Sequence, residues 1–358
     1  MDHLAGWTIA VTSDRRADEQ AELLQRRGAD VVLSPLVESC PAPEAEVLAA
    51  TAELVRAPVD VFVATTGVGM RSWLAMSWSW GLGDDLVRLL RRVEVRSRGA
   101  KTLGALVSED IEGGWRASTD TLAETLDALV ATGVRGRRIG VQLHGGDLAW
   151  FVDALSSAGA EVVPVPVYTV RADGSGRHGE RLAQAAARGE LDAVTCTSAA
   201  AVAALADIDG LVDDLHRHAV TSACVGAVTA AAARAAGLPD VVTAQPHRLG
   251  SMVRALAEHL ADRGTTLSVA GTTLRHQGSR VSVDGAEARL TPRERRLLDV
   301  LLGTDGAVLS KERLAAVAWD APVDEHTVEV AVNRLRRKLG PAAVALETTN
   351  RRGYRIAV

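Results

Sequence analysis

Near its C-terminal end the chain reads DEHTVEVAVNRLRRKLG, Asp324 to Gly340, with Arg334, Arg336, Arg337 and Lys338 inside five residues. Cations at that density can grip phosphates. At about 100° per residue, with Val328 as zero, Val332, Leu335 and Leu339 fall within about 40° of it and form a core stripe. His326, Val330, Asn333, Arg334 and Arg337 gather on the other side, between about 140° and 240°. The plain alternative is a solvated face whose C-terminal cations complement the helix dipole.

A second group of residues has a different chemistry. Thr65-Thr66-Gly67, His144-Gly145-Gly146, Thr197-Ser198 and Gly226 with Thr229 all stand where an apolar run gives way to a helical one. Helix N-termini with hydroxyls and glycines bind anions. Any one of them is equally an ordinary cap; four in one fold point to a polyanionic ligand. No G-x-x-x-x-G-K-[ST] or G-x-G-x-x-G follows a strand, so nucleotides are not indicated.

The elements that must hold these residues follow from length and pattern. At 358 residues the chain calls for two or three domains. Its hydrophobic content of 47% excludes disorder. No apolar run approaches a membrane span, and MDHLAGWTIAVTSD is not a secretion signal, so a cytoplasmic protein without membrane association is expected. Cys40, Cys196 and Cys224 are odd in number and far apart, which argues against a disulfide framework or a zinc site. From Thr265 onward 15 Lys/Arg stand against 11 Asp/Glu, a net of +4; the rest has 25 against 34, a net of −9. A mildly basic tail follows an acidic body, a hint of nucleic acid.

In the tail, TLSVAGTTLRHQGSRVSVDGAEARL alternates like an antiparallel sheet, with Asp284-Gly285 as a hairpin turn. Thr291, Pro292 and Glu294 make a capping box that starts a helix, and Leu297, Leu298, Leu301 and Leu302 give that helix its apolar face. A second capped helix begins after Ser310, the basic helix is the third, and ALETTNRRGYRIAV is a hairpin with Asn350, Arg351, Arg352 and Gly353 at its tip. Sheet, three helices and basic hairpin make a winged helix.

These residues resemble the OmpR/PhoB-type DNA-binding domain of response regulators, over Leu267 to Val358. VSVDGAEARLTPRERRLLDVLL, GAVLSKERLAAVAW, VDEHTVEVAVNRLRRKLG and RRGYRI stand in the family's order and spacing. The resemblance implies a recognition helix around Thr327 to Leu339 in the major groove and Arg351 or Arg352 in the minor groove. In such a helix arginine can grip phosphates or pair with guanine, Asn333 can read adenine and an exposed Val330 can touch a thymine methyl, with the base read by each left open. Trp319, before that helix, is either a contact for the transcription machinery, as the resemblance implies, or a core plug. A receiver domain would be usual upstream, but its acidic pocket and phosphorylated Asp are not evident, so control by aspartyl phosphorylation is not expected.

The body alternates short apolar strands with alanine-rich helices, which reads as an α/β protein with parallel sheets. Two extended Pro-containing segments, Ser34 to Pro43 and Val163 to Ala172, bracket about one domain's worth of chain. The expected organisation is two lobes, 1–36 with 170–262 and 42–165, with a ligand cleft between them, followed by a DNA-binding domain at 267–358. GWTIAVTS, VFVATTGVGM, VEVRSRGAKTLGAL, GVQLHGGDLAWFVDALSSAGAEVVPVPVY, AVTCTSAAAVAAL and SACVGAVTAAAARAAGLPDVVTAQPHRLGSMVRAL resemble uroporphyrinogen-III synthase from about Trp7 to Leu260. That family cyclises hydroxymethylbilane, a linear tetrapyrrole with eight carboxylates, without a cofactor.

The resemblance makes Tyr168 the candidate proton donor to the departing hydroxyl, with an amphipathic packing role as the alternative. Thr66, Gly67, His144, Gly145, Thr197, Ser198, Gly226 and Thr229 become candidate ligand contacts. MRSWLAMSWSWGLGDDLVRLL departs from the family by clustering Trp73, Trp78 and Trp80, as core filling or as a remade surface. Three functions remain open: a transcription regulator that senses a tetrapyrrole-like or other anion, a bifunctional synthase that also binds DNA, and a docking body that does neither. The fusion is similar to actinobacterial regulators, some tied to nitrate and nitrite assimilation, which implies control of those or of tetrapyrrole genes. Expected partners are operator DNA, RNA polymerase or a second regulator, and a second copy on DNA.

Overall fold

The computed structural model describes residues 3–145, 148–172, 176–269, 271–319, 321–350 and 352–357. It divides into two compact units, Met1–Val37 with Ala172–Val358, and Glu38–Arg171. Arg351, a candidate at the hairpin tip, lies outside the described residues, as does Gly146.

The first unit contains a five-stranded parallel sheet in the order Val241–Thr243, Thr221–Cys224, Ala193–Cys196, Thr8–Val11, Asp30–Leu33. Thr221–Cys224 and Ala193–Cys196 are buried at every position, because helices cover both faces. The covering helices include Ala17–Gln25 and Leu249–Ala261, whose Leu24, Met252, Val253, Leu256 and Leu260 pack on Leu4, Trp7, Ile9 and Val11. In the other unit, Trp115–Arg116, Glu94–Ser97, Val61–Ala64, Arg138–Leu143 and Glu161–Pro166 form a second five-stranded parallel sheet in that order. Short strands Val37–Pro41 and Tyr168–Ala172 pair as a ribbon. The α/β reading with parallel sheets is thus met in both places.

Two of the three clustered tryptophans are structural. Trp73 is fully buried, stacked on Phe62 at 5.2 Å, and donates its indole N–H to Thr51 Oγ1 at 2.8 Å. Trp80 donates to Glu44 at 2.7 Å, while Trp78 is 47% exposed.

Within the first unit the chain runs from helix Leu249–Ala261 into an antiparallel sheet of Thr265–Val269, Thr272–Gln277, Arg280–Val283 and Ala286–Arg289. Asp284 and Gly285 both have positive φ, 49° and 86°, as a tight two-residue hairpin of this twist requires. Helices Pro292–Leu302, Lys311–Ala318 and Glu325–Leu339 follow, then the hairpin Leu346–Thr349 and Gly353–Ile356. Thr291 and Glu294 complete the capping box as the sequence predicts. Val328, Val332, Leu335 and Leu339 are all buried in one core with Leu297, Leu298, Leu301 and Leu314. Trp319 is also in that core, its ring 5.1 Å from the Arg293 guanidinium, which favours the plug over the exposed contact. Gly353 has φ 123°, and a Cβ there would lie 1.9 Å from the Leu309 carbonyl oxygen, so the hairpin can close on Leu309 only with glycine.

Leu335→Ala should cost about 2–5 kcal/mol of unfolding free energy, because a fully buried leucine is replaced by a cavity. Urea unfolding of the full chain measures this, with exposed Arg337→Ala leaving the midpoint unchanged.

Candidate ligand site and nucleic-acid interface

In the Glu38–Arg171 unit the strand Val61–Ala64 is central, with Glu94–Ser97 on one side and Arg138–Leu143 on the other. Connections diverge there, and the carboxyl ends of strands at such a point are the usual ligand position in open sheets. Thr65, Thr66, Arg98, His144 and Tyr168 meet at that edge. Arg98 Nη1 lies 3.4 Å from His144 Nε2, and the Tyr168 hydroxyl donates to Thr66 Oγ1 at 3.5 Å. Burial lowers the pKa of Arg98, opposed by the charges of Tyr168 and Asp120. Burial, and then the charge of Arg98, push His144 down to about 4, so it is a neutral imidazole at pH 7. A neutral imidazole beside a desolvated guanidinium offers the hydrogen-bonding and charge that a carboxylate needs.

Not every group at this edge is available. Thr66 Oγ1 accepts Gly69 N–H at 3.2 Å as the cap of helix Gly67–Ser79, and the Thr65 and Thr66 amides donate to Gln142 Oε1 at 2.9 and 3.1 Å. The Gln142 side chain thus occupies the two amides at this turn. Gly67 is buried, and a Cβ on it would lie 2.2 Å from the Lys101 carbonyl oxygen, so its role is close helix packing. Gly145 abuts Val170, whose backbone nitrogen would be 2.3 Å from a Cβ. Arg98 is a candidate that the sequence reading misses, although VEVRSRG places it directly after a strand and before a helix, as at the other candidate turns.

The other parallel sheet has a corresponding edge. Ser198 caps helix Ala199–Ala206 by accepting Ala201 N–H at 3.1 Å, with Thr197 half-buried just before it. Gly226 precedes helix Ala227–Ala235 beside the His247 ring, and Thr229 is 5% exposed inside that helix, turned into the protein. Beneath them a buried chain of polar groups runs from Ser13 to Gln20 at 2.9 Å, from Gln20 to Thr195 at 2.5 Å, and from Thr12 to the Thr195 carbonyl at 2.8 Å. These bonds are satisfied internally and fix the strand ends.

In the tail, His326, Asn333, Arg334 and Arg337 are exposed and Val330 is half-buried. Asn333 Oδ1 accepts from Arg336 at 3.3 Å, and Arg336 also donates to the Leu346 carbonyl at 2.8 Å and to Thr348 at 2.7 Å, binding the helix to the hairpin. Arg336 is therefore largely structural, whereas the outward face keeps its other cations. Arg352 is exposed at the hairpin tip, its N–H bonded to the Thr349 carbonyl at 2.9 Å.

The family model described as uroporphyrinogen-III synthase HemD matches residues 18–254, and that described as transcriptional regulatory protein, C terminal, matches residues 285–356. The crystal structure of a mutant uroporphyrinogen III synthase from the extremely thermophilic bacterium Thermus thermophilus aligns with TM-score 0.61 at 28% identity, over 72% of this chain and 99% of that one. An uncharacterized protein, YjjA of Bacillus subtilis, is 26% identical over 266 residues, 73% of this chain and 98% of its own. The transcriptional regulatory protein CutR of Streptomyces coelicolor is 44% identical over 92 residues, 25% of this chain. This chain spans only 42% of CutR. Among the described residues no helix is long and apolar enough to cross a membrane.

A histidine held well below its ordinary 6.5 favours the folded state when neutral. That contribution is complete above pH 6.5 and is lost as pH falls toward about 4, because the unfolded chain takes up the proton first. His144→Gln should therefore lose less stability than wild type between pH 6.5 and 4, measured as urea midpoints across that range.

Proposed function

Since the chain belongs to the uroporphyrinogen-III synthase HemD family and carries an OmpR/PhoB-type DNA-binding domain, we propose that this transcription regulator senses a tetrapyrrole-like or other polycarboxylate anion. It acts in the cytoplasm on operator DNA, with nitrate and nitrite assimilation or tetrapyrrole supply as the processes it controls. One observation supports the reading above others: the basic helix buries Val328, Val332, Leu335 and Leu339 while His326, Asn333, Arg334 and Arg337 stay exposed. A helix that meets its packing needs on one face has the other free for base edges and phosphates. Val330, Arg352 and Arg351 complete the proposed DNA contacts.

On the ligand side, Arg98 and His144 are the proposed carboxylate receptors, with Tyr168, Thr66, Gly67, Gly145, Thr197, Ser198, Gly226 and Thr229 shaping or supporting the strand ends. A second reading, a synthase that also binds DNA, is favoured by the Tyr168 hydroxyl, which sits at the Thr66 turn beside Arg98 where a departing hydroxyl could receive its proton. Both readings need a polyanion at the same edge; they differ in whether it reacts.

Two measurements test the proposal. A labelled duplex enriched by the full chain from a randomised pool should bind at least roughly tenfold more weakly to Asn333→Ala or Arg337→Ala, and its affinity should change when uroporphyrinogen III is added. Arg98→Ala should abolish the ligand response while basal DNA binding persists; duplex binding indifferent to Asn333 and Arg337 overturns the helix assignment. With hydroxymethylbilane, only the isomer I that forms spontaneously is expected. Isomer III above that background would establish the synthase reading, and its loss in Tyr168→Phe would make the phenol the donor.

A further inference from the structure

The winged helix is packed against the sheet of its own unit. Asp192, 2% exposed at the start of a central strand, accepts the Thr8 N–H at 2.7 Å and pairs with Arg295 of helix Pro292–Leu302. Arg295 and Arg263 stand over the Trp7 ring at 5.3 and 6.0 Å. Ser279 N–H donates to the Gly6 carbonyl at 2.7 Å, and a Cβ on Gly278 would lie 2.3 Å from that oxygen. A buried ion pair, a tryptophan under two guanidiniums and two backbones in contact fix the DNA-binding domain in one orientation.

That orientation creates a cleft of about 580 Å³ along one flank of the basic helix. It is lined by His326, Thr327, Val330 and Arg334 of the basic helix, by Arg293 and Arg296 of helix Pro292–Leu302, and by Arg188 and Glu190 from the turn after helix Arg177–Ala187 of the sheet domain. Thr327 and Arg334 lie about 60–80° around the helix from its outermost line. A helix about 10–12 Å wide fills a major groove about 12 Å wide, so the two phosphate backbones run along its flanks and not across its tip. A recognition helix seated in this way would bring one backbone alongside Thr327 and Arg334, at this cleft. Four arginines line it against two carboxylates, and Glu294 is already held by Lys338 at 2.6 Å.

We propose that the synthase-like sheet domain is part of the DNA interface, with Arg188 gripping a backbone phosphate that runs through this cleft. The proposal rests on the DNA-binding reading above and adds to it a contact from outside the winged helix. Arg188 is more than half exposed, and its Nε and Nη2 meet Glu190 at 2.7 and 2.9 Å. An exposed pair of this kind is weak and yields to a phosphate, while Glu190 repels it.

The test uses the full chain and the same enriched duplex, with affinity followed from about 50 to 200 mM salt. Arg188→Ala should weaken binding roughly three- to tenfold and reduce the slope of log affinity against log salt by about 0.9, the signature of one lost phosphate contact. Glu190→Gln should strengthen binding. Unchanged affinity and slope in Arg188→Ala would overturn the proposal, and tighter binding by that variant would mean that the turn obstructs DNA. If wild type enriches no duplex, the DNA-binding reading itself fails; if Arg337→Ala loses binding and Arg188→Ala does not, only this contact fails.

Discussion

Asp192 is the constraint on which much of the first unit depends. A carboxylate with 2% exposure cannot remain charged without partners, and its partners come from far along the chain: Thr8 is 184 positions away and Arg295 is 103. The Thr8 amide joins the first strand to the strand beside it, while Arg295 draws the first helix of the DNA-binding domain onto the same point. Burial raises the Asp192 pKa and the Arg295 charge is the first influence opposing it, so sheet pairing and domain docking meet at one group. Trp7 lies beneath Arg295 and Arg263 at that junction, its ring facing both guanidiniums.

The candidate ligand edge of the Glu38–Arg171 unit follows a different rule. There the backbone amides at the Thr65-Thr66 turn are satisfied by Gln142 and the Thr66 hydroxyl is spent on its own helix, so the turn is rigid before any ligand arrives. Rigid turns around a partly desolvated guanidinium suit recognition of a flexible polyanion, because the protein loses little freedom on binding. Arg98 and neutral His144 supply charge and hydrogen bonding without a competing imidazolium, and Tyr168 brings a phenol from the paired ribbon to the same place.

The DNA face is built by subtraction. Arg336 is drawn to the Leu346 carbonyl and Thr348, and Lys338 to Glu294 and the Arg289 carbonyl, so two of the four clustered cations serve the fold. Arg334 and Arg337 are left outward, together with His326 and Asn333. Charge density in the sequence therefore overstates the DNA-facing charge, and the wheel positions alone separate the two pairs.

Much of this architecture is written locally. The capping box at Thr291 and Glu294, the Asp284-Gly285 hairpin, the stripe from Val328 to Leu339 and the alternation of apolar runs with alanine-rich helices depend on neighbours within about four residues, and such signals survive in one dimension. Arg98 and Gln142 were not legible, because a desolvated guanidinium and an amide that spans two strand ends acquire their roles from residues 46 and 76 positions away. The same holds for the junction of Trp7, Asp192 and Arg295. Periodicity determined which face of each helix is buried, whereas only the folded chain decided which polar groups lose water together, since desolvation depends on everything packed around a group and not on its place in the sequence.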